Sequence, residues 1–565
     1  MNRILFLFIV FYSCNIPSSA KKIYVGYNKD NMGDGSKINP FQFLAQAIEK
    51  SRTLENNNKK IHILEPGTIY LKDTIRLDEK DSSLEITAAE GSILSGGIQV
   101  NGWQKYQDGI WRAKCPTKNV PRELFVNEHS SPRARFPNES WLRIQKSLPD
   151  KRSGFIFGKN DLPKSLKASK TLELLFLHDW SISRIPIRKI DHDNSILHSK
   201  FPIGCSAPHY AIDHFEKNPR YALEGSVELI DQPGEWAYEQ GELFYKPLPS
   251  QKIHNCNFVI PQLDQLFLIR PTTPDRSISN IKISGLTFSH CRFDIPFEGY
   301  ASGQASVHEY RDGTERKGRR IMPAAVRLEG ITDSTIDNCE FSNIGGSGLW
   351  IGRNCSNIKV LNSTFEMIGG NGINLGETDQ VAHAKKIEIS NSKIQYCGNH
   401  FFGSVGIWIG MAENCKVVNC EVSQLPYSGI SLGWKWDDQV TISKGHQIIN
   451  NHIHHVMQVL SDGGGIYTLG RQPGTKLSNN HIHDIPLNLG KAQSNGIFMD
   501  QGSSEITVIG NQIHKITKSP IRFHKAKENL ITKNTFRLPK GLDLFTFNST
   551  DKTLIIITEN QVYLD

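Results

Sequence analysis

Several common features are missing from this 565-residue sequence, and each absence excludes a class of protein. The ten cysteines include no CxxC pair and no zinc-like spacing, which argues against a cysteine-based metal cluster. Neither sign of charge predominates: 65 basic and 57 acidic residues give a net charge of +8, which does not predict a nucleic-acid partner. Beyond the N-terminus no apolar run is long enough to span a bilayer, so we expect no transmembrane span. The hydrophobic fraction of 38% nevertheless makes the chain far too apolar to be disordered.

Residues 1–20 have the pattern of an export signal. Arg3 precedes a short apolar run, and small residues stand before a possible cleavage site ahead of Lys21. A buried first strand is the alternative, and lipidation of Cys14 is a variant that its aromatic neighbours disfavour. We therefore expect a periplasmic or secreted protein. Nine cysteines would remain after cleavage, and we expect most of them to be small buried apolar residues.

Internal repetition is the strongest signal in the chain. Six segments share one short pattern, and their starts lie 24, 34, 23, 36 and 31 residues apart. They are GLWIG at 348–352, GINLG at 372–376, GIWIG at 406–410, GISLG at 429–433, GIYTLG at 465–470 and GIFMD at 496–500. Each reads as a short strand with alternating apolar residues, closed by a residue at a corner. The shortest spacings correspond to one bare coil, and the longer ones to a coil with an added loop.

A second pattern lies between these segments and begins with asparagine. Its members are NCEF from Asn338, NSTF from Asn362, NSKI from Asn391, NCEV from Asn419, NNHI from Asn450 and NNHI from Asn479. Asparagines at one position of successive coils can stack and hydrogen-bond along the axis, as they do in cross-β assemblies.

Strands that repeat about every 24 residues without crossover helices predict an all-β right-handed parallel β-helix, a solenoid, with an inserted mostly-β domain. A leucine-rich horseshoe would need its LxxLxLxxN frame, and a propeller would need longer antiparallel units. The predicted divisions are a signal peptide at 1–20, an N-terminal cap and first coils at 21–102, the insert at 103–255 and the main β-helix at 256–565. A short amphipathic helix from Phe41 to Ser51 would cap the open end of the solenoid.

The residues between the inward apolar positions of the repeat should point outward. They form a row of Trp350, Asn374, Trp408, Ser431, Tyr467 and Phe498, followed by Arg522. With strands about 4.8 Å apart, the row predicts an exposed ribbon on which sugars could stack. Packing of the aromatics beneath the inserted domain is an equally weighted alternative.

Two aspartates interrupt the repeat. Asp500 stands where the other five strands end in glycine, and Asp462 precedes three consecutive glycines, which are costly unless backbone passes closely there. Two carboxylates facing one groove are what glycoside hydrolysis requires. Turn aspartates that bond local amides are the alternative. A fully extended register would put the two at opposite ends of the ribbon, so only a fold in the glycine run would bring them together.

Histidines cluster in the same coils. His454, His483 and His514 occupy one equivalent position on three rungs, which we interpret as a stacked ladder at a turn in preference to a metal site. Trp434 and His524 lie on loops or strand ends nearer the predicted groove, and we take them as further substrate contacts.

The chain resembles the pectate-lyase-like β-helix proteins and, within them, glycoside hydrolase family 141 and its relatives. The similarity is carried in order by IYVGYNKDNMGDGSKINPF, LEPGTIYLKDTIRL, ELFVNEHSSPRARFPN, LIDQPGEWAYEQGELFYKPLP, SDGGGIYTLGRQPGTKLSNNHIHDI and GIFMDQGSS. The resemblance implies hydrolysis of plant or algal polysaccharide, with fucosidase or xylanase activity, and an acid pair at Asp462 and Asp500. The family usually has tyrosine where Phe498 stands, which points to a changed subsite or substrate.

The predicted function is that of an exported glycoside hydrolase without cofactor or metal, acting as a monomer on an oligo- or polysaccharide. Its predicted residues are Asp462 and Asp500 for catalysis, and Asn374, Trp408, Trp434, Tyr467, Phe498, Arg522 and His524 for substrate binding. A polysaccharide lyase on the same fold is the first alternative, which would need calcium and a basic residue beside an acidic sugar. A non-catalytic carbohydrate-binding solenoid is the second.

Overall fold

A computed structural model of the chain describes residues 22–26, 33–54, 59–214, 216–293, 295–309, 319–486, 490 and 492–565. The predicted export signal at 1–20 lies outside these residues. Within them the chain winds into coils of three strands each, and the equivalent strands of successive coils pair in parallel to form three long sheets. The predicted parallel β-helix is therefore confirmed.

The three sheets are numbered in the order in which a coil passes through them. The strands of sheet 1 are Lys22–Val25, Lys59–Ile63, Leu84–Ala88, Ile278–Ser279, Lys282–Ser284, Ile331–Asp337, Ser356–Leu361, Ala384–Ser390, Ala412–Glu413, Lys416–Val418, Gln447–Ile449, Arg471–Ser478, Ser504–Ile509, Asn529–Thr532 and Ile555–Thr558. Those of sheet 2 are Gly67–Tyr70, Ser92–Ser95, Thr287–Cys291, Glu340–Ile344, Thr364–Ile368, Lys393–Cys397, Glu421–Ser423, His452–His454, His481–Ile485, Gln512–Ile516, Thr535–Leu538 and Gln561–Leu564. Those of sheet 3 are Ile75–Leu77, Phe267–Ile269, Ala324–Leu328, Ser347–Ile351, Ile373–Leu375, Ile407–Ile409, Ile430–Leu432, Gly463–Thr468, Ser494–Met499, Ile521–His524 and Phe545–Asn548.

The six Gly-Ile-type segments of the repeat all lie in sheet 3, in sequence order. Their inward apolar residues are in direct register and fully buried, as a column of Leu349, Ile373, Ile407, Ile430, Ile466, Ile497 and Ile521. Burial of one such side chain contributes about 1.5–3 kcal/mol. The repeat persists because every coil places the same apolar residue in the same column.

The asparagine pattern has two structural roles. The leading asparagines, such as Asn450 and Asn479, have positive φ values of 55° at the corner between sheets 1 and 2, a conformation that asparagine tolerates. The hydrogen-bonded ladder is formed mainly by the asparagine that follows. Its amide groups join one coil to the next at 2.9–3.0 Å, through Asn451, Asn480, Asn511, Asn534 and Asn560.

One α-helix, Leu44–Arg52, lies in the described residues near the predicted cap. It buries Leu44, Ala47 and Ile48, and the side chain of Gln46 accepts a hydrogen bond from the Phe43 amide at 3.1 Å, which satisfies one free amide at its start. No helix of the described residues is long and apolar enough to cross a membrane. Short 3-10 helices are Glu79–Asp81, Pro208–Tyr210, Val227–Leu229, Ile253–Asn255 and Lys552–Leu554.

Antiparallel sheets occupy the chain between the first coils and the main β-helix. Their strands are Gly97–Gln99, Gln104–Lys105, Trp111–Lys114, Leu124–Val126, His129–Ser131, Arg135–Phe136, Leu142–Arg143, Lys146–Ser147, Gly154–Ile156, Glu173–Leu177, Ile182–Asp191, Ile196–Ser199, Arg220–Glu224, Trp236–Glu239, Glu242–Tyr245 and Phe258–Pro261. A later segment adds Tyr300–Ala301 to one of these sheets and forms the pair Val307–Glu309 and Arg319–Ile321.

Two buried arginines fasten the antiparallel region to the β-helix. Arg184 donates to the carbonyl of His400 at 2.9 Å, and Arg220 donates to the carbonyl of Val459 at 3.0 Å. Both arginines also contact buried glutamates, so their charges are compensated. The second contact fixes the region close to the loop that carries Asp462.

The nine cysteines of the described residues are free thiols, and eight of them are buried. This agrees with the expectation that they pack as small apolar residues.

Candidate active site

The predicted outward row of sheet 3 is present, but the prediction that it forms an exposed ribbon is wrong. Tyr467 and Phe498 point away from the core of the β-helix, yet they are 2% and 1% exposed because they form an apolar cluster with Leu469 and Trp436. Other segments of the chain cover most of the row. The prediction failed because the repeat specifies which way a side chain points and carries no information on what covers it.

Asn374, Trp408 and Trp434 lie away from the two aspartates as parts of this covered surface. The side-chain oxygen Oδ1 of Asn374 accepts a hydrogen bond from the side chain of Asn371. The same Asn371 side chain also donates to the backbone carbonyl of Ala305 in the covering segment. Trp408 is fully buried and meets Trp434 edge-to-face, with ring centres 5.3 Å apart. These three residues lie outside the cavity described below.

Asp462 and Asp500 both line one cavity of about 730 Å³ at the C-terminal part of sheet 3. Tyr467, Arg522 and His524 line it as well, whereas Phe498 lies beneath Arg522, whose guanidinium is 4.2 Å from the centre of the phenyl ring. The volume is that of an ordinary small-ligand site. The structure thus brings both predicted carboxylates into one site.

The glycine run before Tyr467 belongs to the continuous strand Gly463–Thr468, which pairs in direct register with Ser494–Met499, so the expected fold in this run is absent. Asp462 lies just before the first strand and Asp500 just after the second, and both side chains nevertheless line the cavity. Asp462 has a φ of +60° and immediately precedes the strand Gly463–Thr468. A Cβ at Gly464 would lie 2.8 Å from the carbonyl oxygen of Asn495, and one at Gly465 would lie 2.9 Å from that of Gly496. The neighbouring coil therefore passes too close for any side chain, as the sequence predicted.

Asp462 forms an ion pair with Arg522 across the intervening coil. The distance from Arg522 Nη1 to Asp462 Oδ1 is 2.8 Å, and the Asp462 side chain is 26% exposed toward the cavity. Burial raises the pKa of Asp462 to about 6, the charge of Arg522 opposes this rise, and the charges of Asp500 and Asp179 add to it. Asp462 is therefore a carboxyl group that exchanges its proton near neutral pH.

Asp500 is held by two side chains. Tyr467 Oη donates to its Oδ2 at 2.5 Å, and His524 Nδ1 lies 2.7 Å from its Oδ1. Burial and the charge of Asp500 raise the pKa of Tyr467 well above its usual value, so the phenol stays protonated and remains a donor. Both carboxyl oxygens of Asp500 are thus held in place by neighbouring side chains.

The antiparallel region supplies one wall of the cavity, from Asp179, Trp180, His209 and Tyr210. Asp179 also holds the loop before Asp462: its Oδ1 accepts from Ser461 Oγ at 2.8 Å, and its carbonyl accepts from the Ser461 amide at 2.8 Å. Sequence reasoning missed this wall. No repeat or motif links residue 180 to residue 500, because only the packing of the inserted region against the coils brings them together.

Gln304, Gln493 and Gln501 are further cavity residues that the sequence did not indicate, and Trp436 lines the cavity beside them. Gln501 follows Asp500 directly, and its side chain donates to the carbonyl of Trp436 at 2.5 Å. The loop from the preceding coils is thus held over the site.

A second cavity, of about 620 Å³, lies farther toward the N-terminus on sheet 3. Its lining includes Arg327, stacked 3.8 Å over the ring centre of Trp350, and Arg353, which pairs with Asp379 at 2.6 Å. It also holds Glu377, whose pKa burial raises to about 7, and Asp379, whose pKa is lowered by the hydrogen bond from Arg353. The cavity at Asp462 and Asp500 likewise places two acids in different environments, an arrangement that suits acid–base chemistry, and it alone of the two holds the acids that interrupt the repeat.

The chain is similar to known proteins over most of its length. The family model described as the right handed beta helix region matches residues 250–383, 324–455 and 406–563, more than half of the sequence. A solved structure described as a glycoside hydrolase is 23% identical, with a TM-score of 0.78 over 95% of this chain and 98% of that one. A second, the complex of XylC with xylose, is 11% identical, with a TM-score of 0.52 over 96% and 86%. No curated protein matches the sequence.

Proposed function

The chain belongs to the right-handed β-helix family, and we propose that it is a glycoside hydrolase whose reaction uses the carboxyl groups of Asp462 and Asp500. One observation carries the proposal: two aspartates share a saccharide-sized cavity but have different partners, an arginine at Asp462 and a tyrosine and a histidine at Asp500. Solved structures described as a glycoside hydrolase and as XylC with xylose have this fold. The family resemblance adds plant or algal polysaccharide as the substrate class, with fucosidase- or xylanase-like action.

Asp462 is the general acid in this proposal. A pKa near 6 lets it carry a proton at the working pH and give that proton to the leaving-group oxygen. Arg522 then stabilises the carboxylate that remains, since its guanidinium already contacts Oδ1.

Asp500 is the nucleophile or the base that activates water. The hydrogen bonds with Tyr467 and His524 orient it, and they remain available as charge redistributes in the transition state. In either case the glycosidic bond to the protonated oxygen breaks while a new bond forms at the anomeric carbon. Water supplies the hydroxyl group of the released sugar.

The aromatic residues of the wall provide faces for the substrate. Trp180 and His209 come from the inserted region, with ring centres 5.8 Å apart, and Trp436 comes from the β-helix. Sugar rings bury their CH faces against such side chains, while Gln304 and Gln493 offer hydrogen bonds to hydroxyl groups. We propose that the substrate is an oligo- or polysaccharide and that the enzyme is exported and monomeric.

The test is turnover of a glycan panel by the wild type, Asp462→Asn and Asp500→Asn, with Asp438→Asn as the matched control. Asp438 is a surface aspartate that pairs with Lys527 at 3.6 Å, outside the cavity. We expect both cavity variants to lose turnover by at least about 100-fold while still binding the glycan, and the control to be unaffected. Unchanged turnover in either cavity variant would contradict the proposal.

Aryl glycosides separate the two roles. A good leaving group needs no proton, so Asp462→Asn should recover most of its activity on such a substrate, whereas Asp500→Asn should not. If the chain is a lyase, products will absorb in the ultraviolet and EDTA will abolish activity. If it is a non-catalytic binding protein, the wild type will bind glycans without turning over any of them.

A further inference from the structure

A cluster of histidines lies on the outer face of sheet 2, on strands that are separate from the candidate active site. His452 and His454 lie on one strand, His481 and His483 on the next, and His514 on the third, in direct register. The predicted ladder is therefore present, but it lies within strands rather than at a turn. Parallel ring stacking accounts for part of it: the His454, His483 and His514 rings follow one another at centre distances of 5.1 and 4.9 Å.

Stacking does not account for the diagonal contacts between the columns. His452 Nε2 lies 2.7 Å from His483 Nε2, although the two residues occupy diagonal positions on adjacent strands. The backbones of two residues at such diagonal positions are ordinarily about 7–8 Å apart. The rings therefore lean toward each other so that their nitrogens meet at one point, and His481 and His514 make the same diagonal contact one coil later, at 2.7 Å.

His483 presents a lone pair at this point. Its Nδ1 lies 2.5 Å from Asp484 Oδ2, and because a carboxylate only accepts, the proton of the ring must be on Nδ1. Its Nε2 is consequently an acceptor. The proton in the contact with His452 must then belong to His452 Nε2, and a shift of that proton to Nδ1 would free a second lone pair without changing the charge of either ring.

His481 completes a group of three. Each of His452, His481 and His483 offers a ring nitrogen within 4.8 Å of the others, and His452 is exposed to solvent. Zinc binds imidazole nitrogen at about 2.0–2.1 Å, which places two nitrogens of a tetrahedral site about 3.3 Å apart. To reach that geometry, ring rotations must open the contact between His452 and His483 by about 0.6 Å and bring in those nitrogens of the group that now lie up to 4.8 Å apart.

Asp484 places a carboxylate against the ring of His483, and stacking of the rings alone would not require one. Ligating histidines ordinarily donate their other ring nitrogen to a carboxylate, which fixes the tautomer and raises the basicity of the ligand. On the neighbouring coils, His455 and Lys515 occupy the position of Asp484, and all three residues have φ near +50°. The acid thus occurs on the coil whose two histidines belong to the group.

We propose that His452, His481 and His483 bind a first-row divalent metal ion of the zinc type, with Asp484 as the positioning residue for His483. Imidazole ligands suit zinc, copper and nickel and disfavour magnesium and calcium. With three protein ligands, the fourth coordination position faces solvent.

The test is calorimetric titration of the metal-stripped full-length chain with zinc ion alone, and with magnesium ion for comparison. We expect one zinc per chain and no magnesium binding. Zinc should also raise the melting temperature of the wild type, because it binds the folded state. Absence of zinc binding would overturn the proposal.

Variants distinguish a defined site from general affinity of the ladder. His452→Gln and His481→Gln should weaken zinc binding by about 100-fold or more, and Asp484→Asn by about 10–100-fold. His455→Gln is the matched control: it removes a histidine of the neighbouring coil that hydrogen-bonds His454 and none of the three proposed ligands, and it should leave affinity within about threefold of the wild type. Equal losses in all four variants, or none in Asp484→Asn, would refute the assignment. Circular dichroism of each variant separates loss of binding from loss of folding.

Discussion

Replacing Arg522 by methionine tests the assignment of Asp462 as the acid. Arg522 Nη1 lies 2.8 Å from Asp462 Oδ1, and its charge lowers a pKa that burial has raised to about 6. An acid must be protonated to act, so kcat/KM of the wild type should fall as the pH rises through about 6. Removing the cation should raise the pKa of Asp462 and move this alkaline limb to higher pH.

The size of the movement follows from the geometry. Two unit charges about 4 Å apart attract by about 4 kcal/mol at an effective dielectric constant of 20, and nearby opposite charges displace carboxyl pKa values by about 1–3. The two side chains are 12% and 26% exposed, so solvent screens part of the attraction and the lower end applies. We expect a movement of about one pH unit, equivalent to about 1.4 kcal/mol.

The assay is the pH dependence of kcat/KM on a substrate identified from the glycan panel. Methionine is an unbranched apolar side chain that can cover the Phe498 ring, which the guanidinium covers in the wild type, so packing over that ring is retained. Arg522→Lys is the control, because it keeps a cation beside Asp462 and should move the limb by less than half as much. An unchanged limb in Arg522→Met, or a movement to lower pH, would refute the reasoning.

Three further predictions concern the support of the site and of the coils. Tyr467→Phe removes the donor to Asp500 and should lower kcat by about 10–100-fold with little change in KM, measured by steady-state kinetics. Asp179→Ala releases the loop before Asp462 and should lower kcat/KM by about tenfold or more, while the fold measured by circular dichroism persists. Asn480→Ala breaks the buried amide ladder and should lower the free energy of unfolding by about 2–3 kcal/mol in urea titrations, whereas Asn560→Ala, at the end of the ladder, should cost about 1 kcal/mol. Equal losses at these two asparagines would contradict the ladder as the source of stability.

Local rules made the fold predictable. Each coil must place an apolar residue in the same buried column as its neighbours, so the same short pattern recurs along the chain. The six segments from 348 to 500 show this recurrence in the amino-acid sequence. The acids were detectable for the same reason. Asp500 replaces a repeated glycine, and Asp462 precedes a glycine run that close backbone approach requires.

The solvent exposure of side chains and the packing of distant segments against one another could not be predicted from these local rules. The repeat gave the outward direction of Trp408 correctly, but the side chain is fully buried because loops and distant segments cover it. Asp179 and Trp180 were missed because their role arises from packing between regions that no sequence period connects.

The sequence by itself determined the parallel coils, the direction of each strand's side chains and the two positions at which an acid departs from the repeat. These depend on contacts between equivalent residues of adjacent coils, which recur once in every coil. Only the folded chain brings Asp462 and Asp500 into one cavity and packs the inserted region against it as a wall. Only there does Arg522 contact Asp462, while Tyr467 and His524 contact Asp500. Those contacts join residues from unrelated parts of the chain, so they exist only once the coils have stacked and the insert has packed against them.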